Sequence, residues 1–229
     1  KTINLASSVV ATKMIIAASQ TLGLGSSGYT LTLTGSGLIP DQPLQNSGTL
    51  NEGSNSTVKF TGTSDSDIDP ETFNNLNVSP SGAGSPVYNV DINETGNPID
   101  VTGTFVLGDG RNDVTLNVIS FCTMTVGSDF TISAGASFSP SSDGGLYIGG
   151  SYLNNGSFTD SGAGVIFNAT TTGKTIAGNI TGANKFLTLI FDGSGGEWAN
   201  SSALEASYLN IAAGTFTGSN NVTVTGQVT

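Results

Sequence analysis

Short segments in which apolar residues alternate with polar ones, each followed by glycine, asparagine or serine, occur through most of the chain. Examples are Leu31-Thr32-Leu33-Thr34, Leu146-Tyr147-Ile148 and Val222-Thr223-Val224. This alternation is typical of β-strands, because successive side chains of a strand point to opposite faces. No window of ordinary helix length keeps a 3.6-residue apolar period and also avoids glycine and proline. The sequence therefore predicts an all-β fold.

The same segments recur in the same order, which indicates internal duplication. Five segments between Ile16 and Val78 have counterparts between Ile132 and Phe191, and a partial third copy begins at Ile211. The spacing varies, because Ile132 follows Ile16 by 116 residues (132 − 16) and Ile211 follows Ile132 by 79 (211 − 132). We predict one elongated domain over 1–229, with diverged repeats at about 11–81, 127–205 and 206–229 and an irregular stretch at 82–126.

The repeated order favours a parallel β-solenoid, or β-helix, in which each coil stacks on the previous one and alternate residues enter a narrow core. Tandem antiparallel β-sandwich domains are the alternative, since about 80 residues also suit that fold. Threonine suits the exposed face of a strand because it is stiff at χ1 and can hydrogen-bond to water. In a solenoid the inward residues are expected to be Leu31, Leu33, Leu146, Ile148, Val222 and Val224, and the outward ones Thr30, Thr32, Thr34, Thr223 and Thr225.

Charge and hydrophobicity exclude several partners. Six basic residues against seventeen acidic ones give a net charge of −11, and the basic residues are scattered. Nucleic acids and acidic lipid surfaces need a clustered cationic face, so neither is an expected partner. The apolar runs are only a few residues long, which predicts no insertion into a membrane. The single cysteine, Cys122, lies in a strand-like run and is expected to be a buried, inert thiol.

Both ends of the chain have the pattern of strands. Thr2, Ile3 and Leu5 open one such pattern, and the chain closes on another that contains Val222, Val224 and Val228. An open strand edge invites another chain to pair with it. We therefore expect these strands to be adhesive, or the chain to be cut from a longer one. The start at Lys1, without a cationic and apolar leader, is expected of a mature or excised segment.

Five short segments share a loose pattern of apolar residues and glycine, asparagine or threonine: Leu209–Phe216, Val222–Gly226, Asn154–Phe158, Val165–Thr170 and Phe186–Leu189. They resemble the repeats of large bacterial and archaeal surface proteins, which form adhesin-like, right-handed parallel β-helices. The resemblance covers most of the chain, and it implies an extracellular or cell-surface, structural role without catalytic residues.

Candidate chemistry is sparse. The absence of histidine excludes catalysis by serine–histidine or cysteine–histidine pairs and any histidine-ligated metal. The densest carboxylate cluster contains Asp65, Asp67 and Asp69, which are candidate ligands for Ca²⁺, an ion that prefers oxygen. The alternative is a solvated acidic turn without a metal. No other cofactor is predicted.

Two further stretches allow alternative functions. Arg111 lies among carboxylates in Gly108–Asp113, as in calcium-dependent polysaccharide lyases of β-helix fold, although a simple Gly-Asp hairpin turn with an ion pair also explains it. Trp198, with Tyr147, Tyr152 and Tyr208, could stack on sugar rings, although packing in the core explains these residues as well. If the chain is a polysaccharide lyase, Arg111→Ala should abolish polysaccharide cleavage. If the chain binds glycans, Trp198→Ala should abolish glycan binding.

Sequons for N-glycosylation are spread over the chain, and modification of some would suit an exported glycoprotein. They begin at Asn55, Asn77, Asn93, Asn155, Asn168, Asn179, Asn200 and Asn221.

The sequence thus predicts a non-enzymatic, extracellular or cell-surface protein that assembles with copies of itself into a filament, sheath or stalk by end-to-end strand pairing. A glycan-binding adhesin module is the first alternative, and a lyase is the second.

Overall fold

A computed structural model describes residues 1–25, 27–90, 98–119 and 121–229. These residues form a parallel β-solenoid of about ten turns. The predicted fold class is confirmed, and the sandwich alternative is wrong because every strand ladder among the described residues is parallel. Each regular coil contributes one strand to each of three faces, which we call the first, middle and third face in the order in which the chain passes them. Within the described residues no helix is long and apolar enough to cross a membrane.

The first face contains β1 (Thr2–Asn4), β4 (Thr21–Gly23), β7 (Thr49–Asn51), β10 (Thr72–Phe73), β13 (Ile99–Val101), β16 (Met124–Val126), β19 (Leu146–Ile148) and β22 (Val165–Phe167). The middle face contains β2 (Val9–Ala11), β5 (Thr30–Leu33), β8 (Thr57–Phe60), β11 (Asn75–Val78), β14 (Phe105–Leu107), β17 (Phe130–Ile132), β20 (Tyr152–Asn154) and β23 (Lys174–Gly178).

The third face contains β3 (Met14–Ile16), β6 (Leu44–Asn46), β9 (Ser66–Ile68), β12 (Val87–Val90), β15 (Val114–Val118), β18 (Ala136–Ser139) and β21 (Ser157–Phe158). Near the C-terminus the faces merge, because two long strands each run through more than one of them. These are β24 (Phe186–Asn200) and β25 (Leu204–Gly218), which follow a short 3₁₀ turn (Gly182–Asn184) and precede β26 (Val222–Val224).

The repeating unit is the single coil, whose length varies. On the middle face Leu31 is in register with Val58 and Val58 with Leu76, so successive coils span 27 (58 − 31) and 18 (76 − 58) residues. The repeat nature of the chain is confirmed, but the segments matched in sequence are not equivalent in position. Leu31–Leu33 lies on the middle face, in β5, whereas Leu146–Ile148 lies on the first face, in β19. Resemblance between strands on different faces therefore produced the apparent long period.

The alternation of apolar and polar residues places the predicted inward side chains in the core. Leu31, Leu33, Leu146 and Ile148 are fully buried. Val222 is in an inward register with Leu204, but it is 40% exposed because no coil among the described residues covers it. The thiol of Cys122 is buried, and burial raises its pKa.

Aromatic rings form a column through the core of the later coils. Phe105 contacts Phe130 with ring centroids 4.9 Å apart, and Phe130 stacks on Tyr152 at 5.7 Å. The column continues through Phe167 and reaches Trp198, whose ring centroid lies 6.2 Å from that of Phe167. Such ring pairs stabilise a core beyond the area that they bury.

Within the part of the chain that the structure describes, only the middle face is one unbroken ladder. On the first face β7 is not paired with β10, and on the third face β6 is not paired with β9. The loop between β5 and β6 lies beside β9 instead, because the N–H of Asp67 donates to the carbonyl of Gly37 at 3.0 Å. The stack is therefore interrupted on two faces near its third coil.

The described strands of the stretch 82–126 belong to the same ladders as the rest. β12 pairs with β9 and β15, and β13 pairs with β10 and β16. Between β12 and β13 lie residues 91–97, which are outside the described residues, so the irregularity predicted there stays a prediction.

Candidate functional site

The two ends of the stack present open strand edges. Among the described residues β1, β2 and β3 pair on one side only, with β4, β5 and β6. At the other end of the described stack β26 pairs only with β25, and Val228 bridges only to Leu209. An open edge carries backbone N–H and C=O groups that a further strand can satisfy. These two ends are the candidate functional site of the molecule.

In each coil the backbone N–H and C=O groups of the inward-facing residues point in the same direction along the stack. The carbonyls of the inward-facing Leu33, Phe60 and Ile132 each accept an N–H from the following coil, at 2.8 to 2.9 Å. In a parallel ladder the N–H and C=O of one residue point to one neighbouring strand and those of the next residue to the other. Inward residues therefore turn their backbone groups toward the following coil, and outward residues turn theirs toward the preceding coil.

This polarity determines what each end leaves open. The carbonyl of Ala11 accepts the N–H of Thr34 at 2.9 Å, so the adjacent, outward-facing Val10 turns its backbone groups to the open N-terminal edge. At the C-terminal end Thr225 donates to the carbonyl of Ala206 at 3.0 Å, so the inward-facing Val224 turns its own groups to the open edge. The two ends thus expose opposite sets of residues.

The N-terminal end is apolar. Ile3 is in register with the buried Leu22 and is 52% exposed, because no coil covers it. Met14 is half-buried against the core beside it. Together these side chains line part of a surface cavity of about 290 Å³, whose lining includes Ile3, Met14, Ile15, Ile16 and Leu22.

The C-terminal end is also apolar, and it is uncharged. Phe216 stacks on Phe191 with ring centroids 4.7 Å apart, so the aromatic column reaches the end of the stack. Val228 is 61% exposed in an inward position. Residues 206–229 contain neither a charged residue nor a proline. Natural edge strands commonly use such residues to block pairing, and this end uses none.

The predicted assembly residues occupy these ends. Ile3, Val222, Val224 and Val228 are inward positions of the outermost coils, and Thr2 faces outward on the N-terminal edge. Leu5 lies just after β1 and donates its N–H to Gly23 at 2.8 Å, so its backbone already pairs with the second coil. Sequence reasoning missed three end residues, although the alternation around each was a usable signal; they are Val9, Met14 and Phe216.

The acidic stretch is tied to neighbouring coils. Asp65 accepts the N–H of Val87 at 2.9 Å, from the following coil. Asp67 accepts the N–H of Ile39 at 2.8 Å, and Asp69 accepts the side-chain amide of Gln42 at 2.7 Å, both from the preceding coil. Among the described residues no group of three or more acidic or cysteine side chains is arranged to hold a metal ion. Calcium binding at Asp65, Asp67 and Asp69 stays a prediction.

The Gly108–Asp113 stretch is the turn between β14 on the middle face and β15 on the third face, which do not pair with each other, so it is not a hairpin. The carboxylate of Asp109 accepts the backbone N–H of Arg111 at 2.9 Å and that of Asn112 at 3.2 Å, and these bonds lower the pKa of Asp109. In the described part of the chain, Arg111 has no carboxylate within 4 Å. Asp109 thus closes the turn through the backbone.

The aromatic residues divide between core and surface. Trp198 and Tyr152 are fully buried in the aromatic column, so neither ring is free to stack on a sugar and their packing in the core is confirmed. Stacking of other rings and strands around them, which the local sequence does not reveal, buries both. Tyr147 and Tyr208 are half-buried and reach the surface.

The sequons differ in accessibility. Asn55, Asn155, Asn179 and Asn221 are exposed, and Asn77 and Asn168 are half-buried. Asn200 is only 3% exposed and its amide donates to the carbonyls of Ser202 and Asn220, so a glycan cannot reach it in the folded chain. Asn93 lies outside the described residues.

Comparison of the chain with protein-family models, with curated proteins and with solved structures gives no match.

Proposed function

We propose that this chain is a structural protein of the cell surface or extracellular space, whose copies join head to tail into a filament, sheath or stalk. The observation that carries the proposal is the opposite backbone polarity of the two open ends. The C-terminal end offers the backbone groups of inward residues, and the N-terminal end offers those of outward residues. A second copy that docks its N-terminal coil on the C-terminal coil of the first would continue every ladder in parallel.

The same docking matches the side chains. In this register Ile3 lies opposite Val228 and Met14 opposite Val222, and Val9, whose column on the middle face ends at Gly218, lies diagonally beside Phe216. Each of these side chains faces inward and is exposed or half-buried in the single chain. Burying apolar surface contributes roughly 25 cal/mol per Å², in addition to the backbone pairing. Two copies turned end for end would instead pair identical ends through antiparallel strands, so the parallel ladder would not continue across the contact.

Head-to-tail contact of this kind does not close. A heterologous interface that repeats without closing produces an open filament. The uncharged C-terminal coil and the sparse charge of the chain leave the contact free of like-charge repulsion. The low charge, the single buried cysteine and the resemblance to surface-protein repeats support the extracellular location.

A matched pair of variants tests the register by sedimentation velocity at micromolar concentration. Val228→Lys places a charge at an inward position that is 61% exposed in the single chain, so the fold tolerates it but the interface does not. Gln227→Lys adds the same charge one residue away, on the outward side. We expect the wild type and Gln227→Lys to form a series of oligomers, and Val228→Lys to sediment as a monomer.

Two results would overturn the proposal: a wild type that stays monomeric at all concentrations, or equal assembly by Val228→Lys. Failure of Gln227→Lys to assemble would overturn the proposed register. Deletion of residues 1–10 is a less clean test than a point variant, because it uncovers the edges of β4 and β5 as new pairing surfaces.

A further inference from the structure

A cavity of about 350 Å³ opens where the first face is interrupted, between β7 and β10. Because these two strands are not hydrogen-bonded to each other, the cavity separates two strand edges. Its walls come from three successive coils and include no charged residue other than Glu52. They are formed by Thr49, Leu50, Asn51, Glu52, Gly53, Thr72, Asn74 and Thr102.

Glu52 has one satisfied and one unsatisfied carboxylate oxygen. Its Oε2 accepts the backbone N–H of Asn74 at 2.6 Å and the hydroxyl of Ser56 at 3.2 Å. Its Oε1 is buried and has no donor within hydrogen-bond distance among the described residues. The residue as a whole is 6% exposed. A buried acceptor of this kind costs free energy until a donor reaches it.

The surroundings of Glu52 favour a positive donor. Burial, with a smaller effect of the nearby Glu71, raises the pKa of Glu52 from 4.5 to about 7, against the lowering effect of the bonds from Asn74 and Ser56. Burial also raises the pKa of Glu71, which is half-buried and accepts the amide of Asn46 at 2.9 Å. A cation beside Oε1 would stabilise the ionised carboxylate and screen its repulsion from Glu71.

The shape and lining of the cavity indicate which cation fits. Ca²⁺ takes six to eight oxygen ligands, usually from several carboxylates, and this wall offers one. The cavity is also about ten times the roughly 30 Å³ that a water molecule occupies in the liquid. Leu50 and the threonine methyl groups provide apolar contact for an aliphatic stem. We propose that this cavity binds a ligand that carries a primary ammonium or guanidinium group on an aliphatic stem.

Nuclear magnetic resonance tests the proposal with n-butylammonium as the probe of the group alone, and Nα-acetyl-lysine amide as the probe of a basic side chain. We expect both to shift the backbone amide of Asn74 saturably at millimolar concentration. We expect no such shift with 1-butanol, the neutral analogue. The titration uses the Val228→Lys variant, whose substitution lies at the C-terminal end and not in the cavity wall.

Two further measurements identify Glu52 as the acceptor. Glu52→Gln keeps the size of the side chain and should abolish the shift, whereas Glu197→Gln, in β24, should leave it unchanged. With a pKa of about 7, roughly a tenth of Glu52 is ionised at pH 6 and roughly nine tenths at pH 8. We therefore expect the amines to bind about tenfold more tightly at pH 8, a result that decides the question even if Glu52→Gln does not fold.

Several outcomes would overturn the proposal. They are no shift with either amine, an equal shift with 1-butanol, a stronger effect of CaCl₂ alone, or equal affinity at the two pH values. Binding of the lysine probe without n-butylammonium would likewise contradict recognition of the ammonium group itself.

Discussion

The coils between Phe105 and Asn200 and those between Thr2 and Asn51 share one plan, but different interactions hold them together. In the later coils, rings from successive turns contact one another and the first-face ladder runs unbroken from β10 to β24. In the first coils the buried residues are aliphatic, as at Leu24, Leu31 and Leu44, and the first and third faces are interrupted before the fourth coil.

This difference indicates how stability is distributed along the stack. In a solenoid each coil contacts only its neighbours, so the interfaces between coils determine whether the whole chain unfolds together. The middle-face ladder alone crosses the interruption without a break. We therefore expect the first three coils to unfold locally at a lower free energy than the aromatic coils.

The largest expected effect concerns the aromatic column. Trp198→Ala removes a fully buried ring between Phe167 and Phe191, and should lower the free energy of unfolding by about 3–5 kcal/mol. Urea denaturation measures this loss. Thr175→Ala, an exposed position on the neighbouring β23, is the matched control and should change stability by less than about 0.5 kcal/mol. A loss below about 1 kcal/mol for Trp198→Ala would show that the column does not hold the later coils together.

The next largest effect concerns Glu52, which lies where the first face is interrupted. Because the pKa of Glu52 is raised from 4.5 to about 7 in the folded chain, the folded state binds more protons than the unfolded state between these values. The contribution of Glu52 to stability should therefore be fully present below about pH 4.5 and be lost, by about 3 kcal/mol, as the pH rises past 7. The raised pKa of Glu71 acts in the same direction.

Glu52→Gln isolates this contribution. The variant should lose most of the decline between pH 5 and pH 8 in urea denaturation, since glutamine does not titrate. A decline of unchanged size in the variant would assign the effect to other carboxylates.

Hydrogen exchange sharpens the comparison between the two regions directly. Amides of β4 and β5 should exchange at least about tenfold faster than those of β17 and β20, a difference of about 1.4 kcal/mol in opening free energy. Mass spectrometry of peptic fragments at neutral pH measures both regions in one sample. Equal protection in the two regions would mean that the interruption does not divide the stack.

The smallest effect should have the opposite sign. The hydroxyl of Tyr152 is buried and has no hydrogen-bond partner among the described residues. Tyr152→Phe removes this polar group and keeps the ring, so we expect unchanged stability or a gain of about 1 kcal/mol. Thermal denaturation checks this, and a loss above about 1 kcal/mol would contradict the absence of a partner for the hydroxyl.

Local sequence predicted well what depends on alternation. The strand type and the inward positions of Leu31 and Ile148 follow from a period of two, which any strand with one buried face must have. The parallel stacking followed from the recurrence of such strands. The places of Ile3 and Val228 in the outermost described coils follow from their positions in the sequence.

What depends on contacts between coils was not predictable. Trp198 lies next to glycines and a glutamate in the sequence, but Phe167, from the preceding coil, helps to bury it. Glu52, between Asn51 and Gly53, has the sequence of an exposed turn, and it is buried because Asn74 of the next coil reaches its carboxylate. The number of residues in one coil could not be predicted from the sequence, because strands on different faces have similar sequences.

Electron microscopy of the purified chain at micromolar concentration, in negative stain, tests the central claim most directly. About ten turns stacked at about 4.8 Å predict filaments with an axial repeat of about 48 Å, one chain per repeat. The account predicts such filaments for the wild type and single short rods for Val228→Lys. Short rods for both proteins, or filaments whose repeat requires paired chains turned end for end, would contradict head-to-tail assembly.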